Sequence, residues 1–444
     1  MHRKSYGLGA VIVMITMLLL SACGGSSGST TSSNSSLGPG ELDSNKQYNV
    51  SFWEAFATGA NKTTLEELTQ QYMKARPNVK VSLQAYDSYP TLKTKLTAAI
   101  AAGKPPTISQ VYEEWATQFQ QSSAITSLEP FIKGKNGLSQ KDLADFYPTM
   151  LKDGQINGTQ YMLPFSKSVI VLYYNADALR QLGLNPPATV NDLVIDLAKA
   201  TRPDGSQWGL SYTPDVDGWS IFYKALGGGN FISSDGKSAE FGSSANSAAA
   251  TKALSVLAPL VKSGAVHVTK GYNWQNDFVS QKSLFAISTI ASYPFLNNLI
   301  KGAFKFNEAP VPAGPAGQFT VLFGPNLAMY SKADADSQSA AWDYMKFLAS
   351  TDVNATFVQE TGYMPVRQST FNTASLQDYY SKNPARKVGP QSVGYGFVPS
   401  TYPAWDQCRD IISNNFTSVL TGQTTADAAL AKMTQSCNSV LSQG

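Results

Sequence analysis

The sequence predicts an α/β protein of two lobes, each a mainly parallel sheet flanked by helices, on three observations. Residues 48–112 alternate strand-period with helix-period segments, and a second such series begins near Tyr161. About 400 residues follow a low-complexity start, more than one hydrophobic core usually serves.

The N-terminus is read first. His2, Arg3 and Lys4 precede a run from Leu8 to Leu20 that is apolar apart from Gly9 and Thr16, the pattern of an export signal too short to be a comfortable membrane span. Leu20-Ser21-Ala22-Cys23 resembles the lipobox of bacterial lipoproteins. That resemblance implies cleavage before Cys23, acylation of its thiol, and a flexible Gly/Ser/Thr tether over 23–46. The alternative is an ordinary signal peptide with an incidental cysteine. Loss of Arg3 and Lys4 with residues 1–22 lowers the formal charge from +3 to +1, too little for a nucleic-acid binder, which needs clustered bases against phosphate.

The first series starts with YNVSFW, where Tyr48, Val50 and Phe52 alternate with polar residues as in a half-buried strand. TTLEELTQQYMKARP then predicts a helix, with Thr64 and Glu67 at capping-box spacing, Leu65, Leu68 and Tyr72 on one face and Pro77 as its stop. VKVSLQAY reads as strand, TLKTKLTAAIAAG as helix through Leu92, Leu96 and Ile100, and TISQVY as strand. Strand, helix, strand, helix, strand implies a parallel sheet, whose ligands lie where strands end. The residues leaving these strands are Trp53 and Glu54, Tyr89, and Tyr112, Glu113 and Trp115.

The second series opens on Val169 to Tyr174, apolar enough for a strand covered on both faces. A turn and helix follow in GLNPPATVNDLVIDLAKA, further strands in LFAISTIASYP and VLFGPNLAMYS, and helices in SQSAAWDYMKFLAS and NATFVQETG. Near the C-terminus, Cys408 shares a helical face with Ile412, Phe416 and Val419, and Cys437 with Leu430, Met433 and Val440. Gly422 ends one helix and Thr424 with Asp427 restarts the next. Helices folded back at this turn bring the sulfurs level, which predicts a Cys408–Cys437 disulfide stabilising the protein by about 3–4 kcal/mol. Two buried free thiols are the alternative.

Known catalytic signatures are missing from the sequence. Apart from His2 the chain has one histidine, His267, which excludes HExxH zinc chemistry, and the cysteines are not at zinc-ligand spacing. GGSSG at Gly24 to Gly28 matches the serine-hydrolase pattern by chance, in the tether with no strand before it. A carboxylate pair, Glu54 and Glu113, leaves a secreted glycoside hydrolase as the enzyme alternative.

FWEAF, QVYEEWA, LPFSKSVIVLYYNADAL, DGWSIFYKALGG, FAISTIASYPFLNNL and ETGYMPVR together resemble the family 1 extracellular solute-binding proteins of ABC importers, from about residue 48 onward. QVYE, PF…VLYYN, TGYMPV and YYSKNP most resemble the glycerol-3-phosphate-binding branch. The resemblance implies a periplasmic-binding-protein-like fold with the ligand cleft at a hinge. The chain would cross near Phe165, Gln318 and Pro365, giving one lobe over 47–165 and 319–364 and another over 166–318 and 365–444. It implies a binding protein without enzyme activity or cofactor, acting as a monomer at the outer face of the cytoplasmic membrane and delivering its solute to ABC permease subunits.

By matching motifs, the branch's ligand residues fall on Tyr89, Glu113, Ser168, Trp219, Ser292, Gly324 and Tyr363. Trp219 and Tyr363 would be flat platforms for a sugar face and Glu113 an acceptor for paired hydroxyls. Trp53, Glu54, Lys167 and Tyr395 complete the candidate set. One departure bears on the solute. The phosphate-binding branch carries a basic residue in the Gly-rich loop before the last helices, and here Val388 to Cys408 has none. Lys167 is placed to replace that charge, to pair with Glu113 or to point into solvent. Tyr395, Tyr402 and Trp405 suit stacking on a sugar, so the expected solute is a neutral saccharide or polyol, with a glycerophosphoryl compound second.

Overall fold

The computed structural model describes residues 37–443. The export signal, Cys23 and the tether as far as Ser36 lie outside the described residues.

The first lobe begins with β1 (Tyr48–Glu54), whose alternation buries Tyr48, Val50, Phe52 and Glu54 on one face. Helix α1 (Gly59–Ala75) covers that sheet with Leu65, Leu68 and Tyr72. Its N-cap position is Thr58, six residues before the expected cap, so Thr64 is a buried interior residue and no capping box forms with Glu67. Strand β2 (Val79–Ala85) leads to α2 (Tyr89–Ala101), whose Ser88 hydroxyl accepts from the Thr91 amide at 3.2 Å. Strand β3 (Ile108–Val111) runs into α3 (Glu113–Gln121). Then come α4 (Pro148–Asp153), a hairpin of β4 (Gln155–Ile156) and β5 (Thr159–Gln160) turning at Asn157-Gly158, and β6 (Met162–Pro164). Both turn residues have positive φ, the conformation for which an Asn-Gly pair is suited.

The second lobe is threaded on β7 (Ser168–Asn175), almost wholly buried as its apolar run requires. It continues through β8 (Trp208–Tyr212), α5 (Val216–Ala225), β9 (Val266–Val268), β10 (Ser283–Thr289), α6 (Tyr293–Ile300), β11 (Phe306–Ala309) and β12 (Thr320–Phe323). The chain returns to the first lobe as β13 (Asn326–Met329), α7 (Ala335–Leu348) and α8 (Thr351–Thr361). It ends in the second with β14 (Gly396–Phe397), α9 (Trp405–Leu420) and α10 (Ala426–Leu441).

The sheet orders are β2-β1-β3-β13-β6 and β14-β12-β7-β10-β8-β9, with β11 beside β12 along one edge of β7. Both sheets are mixed rather than mainly parallel. β1 pairs with β2 and β3 in parallel, as the crossover helices require, but β13 enters from the other lobe and runs antiparallel to β3 and β6. The two halves of VLFGPNLAMYS thus belong to different sheets, and the chain passes between lobes at Gly324-Pro325, not near Gln318. Gly324 has φ +109°, and an added Cβ would strike the Ser166 carbonyl in the neighbouring crossing.

The last two helices pack together at the expected turn, although Thr425 rather than Thr424 caps the second, its hydroxyl accepting from Ala428 N at 3.3 Å. Cys408 and Cys437 do meet, with the Cys437 sulfur 4.0 Å from the Cys408 carbonyl oxygen, but they are free thiols, which corrects the expected disulfide. Both are buried among Ile412, Phe416, Met433 and Leu441, where a thiol packs as a small apolar group.

Candidate functional site

Five of the eleven candidate residues converge on one cavity of about 520 Å³ between the lobes: Tyr89, Ser168, Ser292, Gly324 and Tyr363. Tyr89 comes from the first turn of α2, Ser168 opens β7, Ser292 closes the turn after β10, Gly324 sits in the crossing, and Tyr363 follows the left-handed Gly362 that ends α8. All stand at the termini of regular elements or in the segments joining them, where loops held by a rigid scaffold carry binding groups.

The walls are aromatic with hydroxyl tips. Tyr363 is held by Phe56 and Phe357 at ring-centroid distances of 5.8 and 5.6 Å, the latter nearly parallel. Its phenol oxygen lies 3.3 Å from that of Tyr89, which meets Tyr112 edge-on at 5.2 Å. Burial pushes the Tyr363 phenol up to about 12 and the Tyr89 phenol well above its usual value, so both stay protonated donors at neutral pH. Ser168 pairs with Thr289 across β7 and β10, and Ser292 with Ser288 at 3.2 Å. Candidate reasoning missed Phe56, Asp87, Tyr272, Gln275, Phe295 and Phe323, which also line the cavity. Asp87 lay within reach of the strand-end rule, two residues after β2. Among the described lining residues there is no Lys, Arg or His.

Lys167 explains part of that charge pattern. Its ammonium donates to Glu113 Oε1 at 3.1 Å, to Asp153, and to the Gly324 carbonyl at 2.7 Å. Asn326 Nδ2 bridges the same two carboxylates at 3.0 Å each. Lys167 is fully buried and its carbonyl accepts from Met364 N at 2.8 Å, so it ties together the segments around Phe165, Gly324 and Met364. Burial opposes its charge, yet Asp153 and Glu113 hold its proton on, while burial and Asp153 push the Glu113 carboxyl well up. Of the three roles open to Lys167, pairing with Glu113 is the one adopted. Neither side chain is free to grip a ligand, which corrects both expectations.

The other candidates also lie elsewhere. Trp219 is fully buried, stacked on Tyr223 at 5.0 Å and edge-on to Phe241 at 5.5 Å, because its position on α5 faces the second core. It is not a sugar platform. Trp53 packs edge-on against Tyr86, and the Tyr395 hydroxyl pairs with Ser392 at 2.7 Å; neither lines the cavity. Trp405 is buried against Phe231 in the second core. Glu54 accepts from the Phe56 amide, and burial pushes its carboxyl up to about 7. With Glu54 turned into a backbone contact and Glu113 spent on Lys167 and Asn326, the two carboxylates do not face a common substrate space.

Residues 67–387 match the family model of bacterial extracellular solute-binding proteins. The chain belongs to this family. The solute-binding protein is 25% identical over 416 residues to the sn-glycerol-3-phosphate-binding periplasmic protein of Rhizobium meliloti (strain 1021), covering 88% of this chain and 93% of that one. It superposes on the GacH receptor of Streptomyces glaucescens GLA.O, determined unliganded and with acarbose, with a TM-score of 0.78 at 23% identity over 89% of this chain and 98% of that one. UgpB from Mycobacterium tuberculosis, in complex with glycerophosphocholine, gives 0.77 at 20% identity, covering 89% and 98%. These likenesses show the two-lobed fold. Family membership makes this an extracellular or periplasmic binding protein, and no helix of the described residues is long and apolar enough to cross a membrane.

Proposed function

We propose that this solute-binding protein captures a neutral saccharide or related polyol in the tyrosine-lined cavity, closes its lobes on it and passes it to an ABC importer. The reading includes a lipid on Cys23 that holds the protein, as a monomer, at the outer face of the cytoplasmic membrane.

The observation that carries the solute class is the cavity wall: aromatic faces for C–H surfaces, serine, threonine and tyrosine hydroxyls for sugar hydroxyls, and no cation among the described lining residues. The nearby bases are spent. Lys167 is held by Glu113 and Asp153. Arg386, behind the wall, donates to Glu308, to the Gly362 carbonyl at 3.0 Å and to the Ile290 carbonyl at 3.4 Å. A phosphate here would be desolvated without a countercharge. A glycerophosphoryl solute is the second reading, favoured by the names of the Rhizobium and Mycobacterium relatives.

Thermal unfolding against mono- and oligosaccharides, polyols, glycerol-3-phosphate and glycerophosphodiesters tests it. A specific ligand at a hundred times its Kd adds about 2.7 kcal/mol. A saccharide that raises the midpoint and is recovered unchanged supports the reading. Stabilisation by phosphates alone overturns the solute class, and turnover of the saccharide overturns the receptor.

A further inference from the structure

A second cavity, of about 690 Å³, also lies between the lobes. A chamber of about 100 Å³ separates it from the tyrosine cavity, sharing Tyr112 and Phe323 with one and Val398 to Ser400 with the other. Arg409 closes this chamber by donating to both oxygens of Asp217, at 3.1 and 3.0 Å, with Glu114 in the facing wall. The chamber has room for only a few waters and falls well short of the ~300 Å³ at which small-molecule pockets begin, so it divides the two cavities in this arrangement of the lobes. The two cavities are separate spaces with separate chemistry.

Charge distinguishes them. Buried and half-buried cations elsewhere along the cleft are paired: Lys93 with Asp406, Lys167 with Glu113 and Asp153, Arg386 with Glu308, Arg409 with Asp217. The second cavity carries Lys152, from α4 of the first lobe, and Lys224, from the end of α5 in the second. Neither makes an ion pair among the described residues. Lys224 donates only to the Gly229 carbonyl, at 3.0 Å, and sits 5.8 Å from the Phe319 ring. Burial lowers its hold on its proton, as expected of a cation lacking a countercharge. Asp153 stands in the same wall but is spent on Lys167 and Asn326. Phe397 and Tyr402 supply ring faces, and Asn157 and Asn230 supply amides from opposite lobes.

We propose that this cavity is a second ligand site, for a sugar ring bearing an anionic group. The ring packs on Phe397 and Tyr402, the asparagines take its hydroxyls, and the carboxylate or phosphate sits with Lys152 and Lys224. Because the lysines come from opposite lobes, an anion that meets both gains attraction from each lobe and favours the closed arrangement.

The test is calorimetric titration with glucuronate, glucose 6-phosphate, glucose and inorganic phosphate into the wild type and into Lys152→Ala, Lys224→Gln and Tyr363→Ala variants. The expected result is saturable binding of glucuronate, glucose 6-phosphate or both, weakened at least tenfold by either lysine substitution and by raised salt, and unchanged in Tyr363→Ala. Which of the two binds identifies the anion. Lys152 is exposed, so its variant reports on binding even if Lys224→Gln lowers stability. Failure of both anionic sugars to bind, inorganic phosphate binding as well as they do, or binding that depends on Tyr363 and not on the lysines overturns the proposal.

Discussion

Single residues here separate into those that meet the cavity and those that build it. Lys167 belongs to the second kind. Replacing it with Met leaves Glu113 and Asp153 buried side by side with no base, and breaking a buried pair in this way costs about 3–5 kcal/mol. Urea unfolding of Lys167→Met is expected to show that loss, and an unchanged midpoint would mean the three segments it joins are held by something else. Trp219→Ala is expected to cost about 3–5 kcal/mol through the void left among Tyr223, Phe231 and Phe241, while ligand affinity in the folded variant stays within a few-fold. Titration of the folded fraction checks it, since a selective loss of affinity would return Trp219 to the site. These two residues mark the limit of what the sequence reveals. The convergence of Tyr89, Tyr363, Ser168, Ser292 and Gly324 on one cavity was legible through the family motifs that carry them, which fall at the termini of regular elements and in the crossing. Lys167 was not, because its partners lie 54, 14 and 157 residues away and nothing local distinguishes pairing from exposure. Trp219 came from the motif match alone, and an aromatic on an amphipathic helix reads alike whether its face meets a cleft or, as here, a core.

Among the elements, strands and helices followed hydrophobic period closely, and the errors fell at ends and partners. The helix over 59–75 has its N-cap position at Thr58 because an extended Thr58 and a left-handed Gly59 turn the chain there, a tertiary choice that overrides the Thr64/Glu67 spacing. Strand β13 was legible as a strand, but its antiparallel place in the first sheet depends on a crossing that no local pattern encodes. That crossing has a testable weak point. Gly324→Ala puts a methyl against the Ser166 carbonyl at a φ that L-residues avoid, and a loss of at least ~1–3 kcal/mol is expected in urea unfolding. A wild-type midpoint would show that the crossing is loose. At the C-terminus, the free thiols of Cys408 and Cys437 should react with a thiol reagent in denaturant without prior reduction and resist it in the native protein. Loss of the denatured-state reaction, restored by a reductant, would reinstate the disulfide.

For the whole molecule, buried acids set the pH response. Burial pushes Glu54, Glu114 and Asp215 each up to about 7, Asp215 being raised further by Asp217. An acid whose folded value lies above its unfolded one binds more protons folded than unfolded between the two. Stability therefore falls as pH rises from about 4 to about 7 and levels off above. The carboxylates of Asp142, Asp204 and Asp334, held down by hydroxyls and amides at turns and caps, act oppositely, and their contribution is lost only below about 4. A higher urea midpoint at pH 5 than at pH 8 is the expected outcome, and the reverse order would show that these acids are solvated. Capture itself is a whole-molecule act, since the tyrosine cavity takes walls from both lobes and from the segments that join them. Its direct test is calorimetric titration of the saccharide that most raises the unfolding midpoint into the wild type and Tyr363→Ala side by side. One-to-one binding by the wild type, weakened more than tenfold in the variant, is the expected result. Equal affinities in the two proteins, or tight binding of glycerol-3-phosphate and of no neutral sugar, would contradict the assignment of the tyrosine-lined cavity as a neutral-saccharide site.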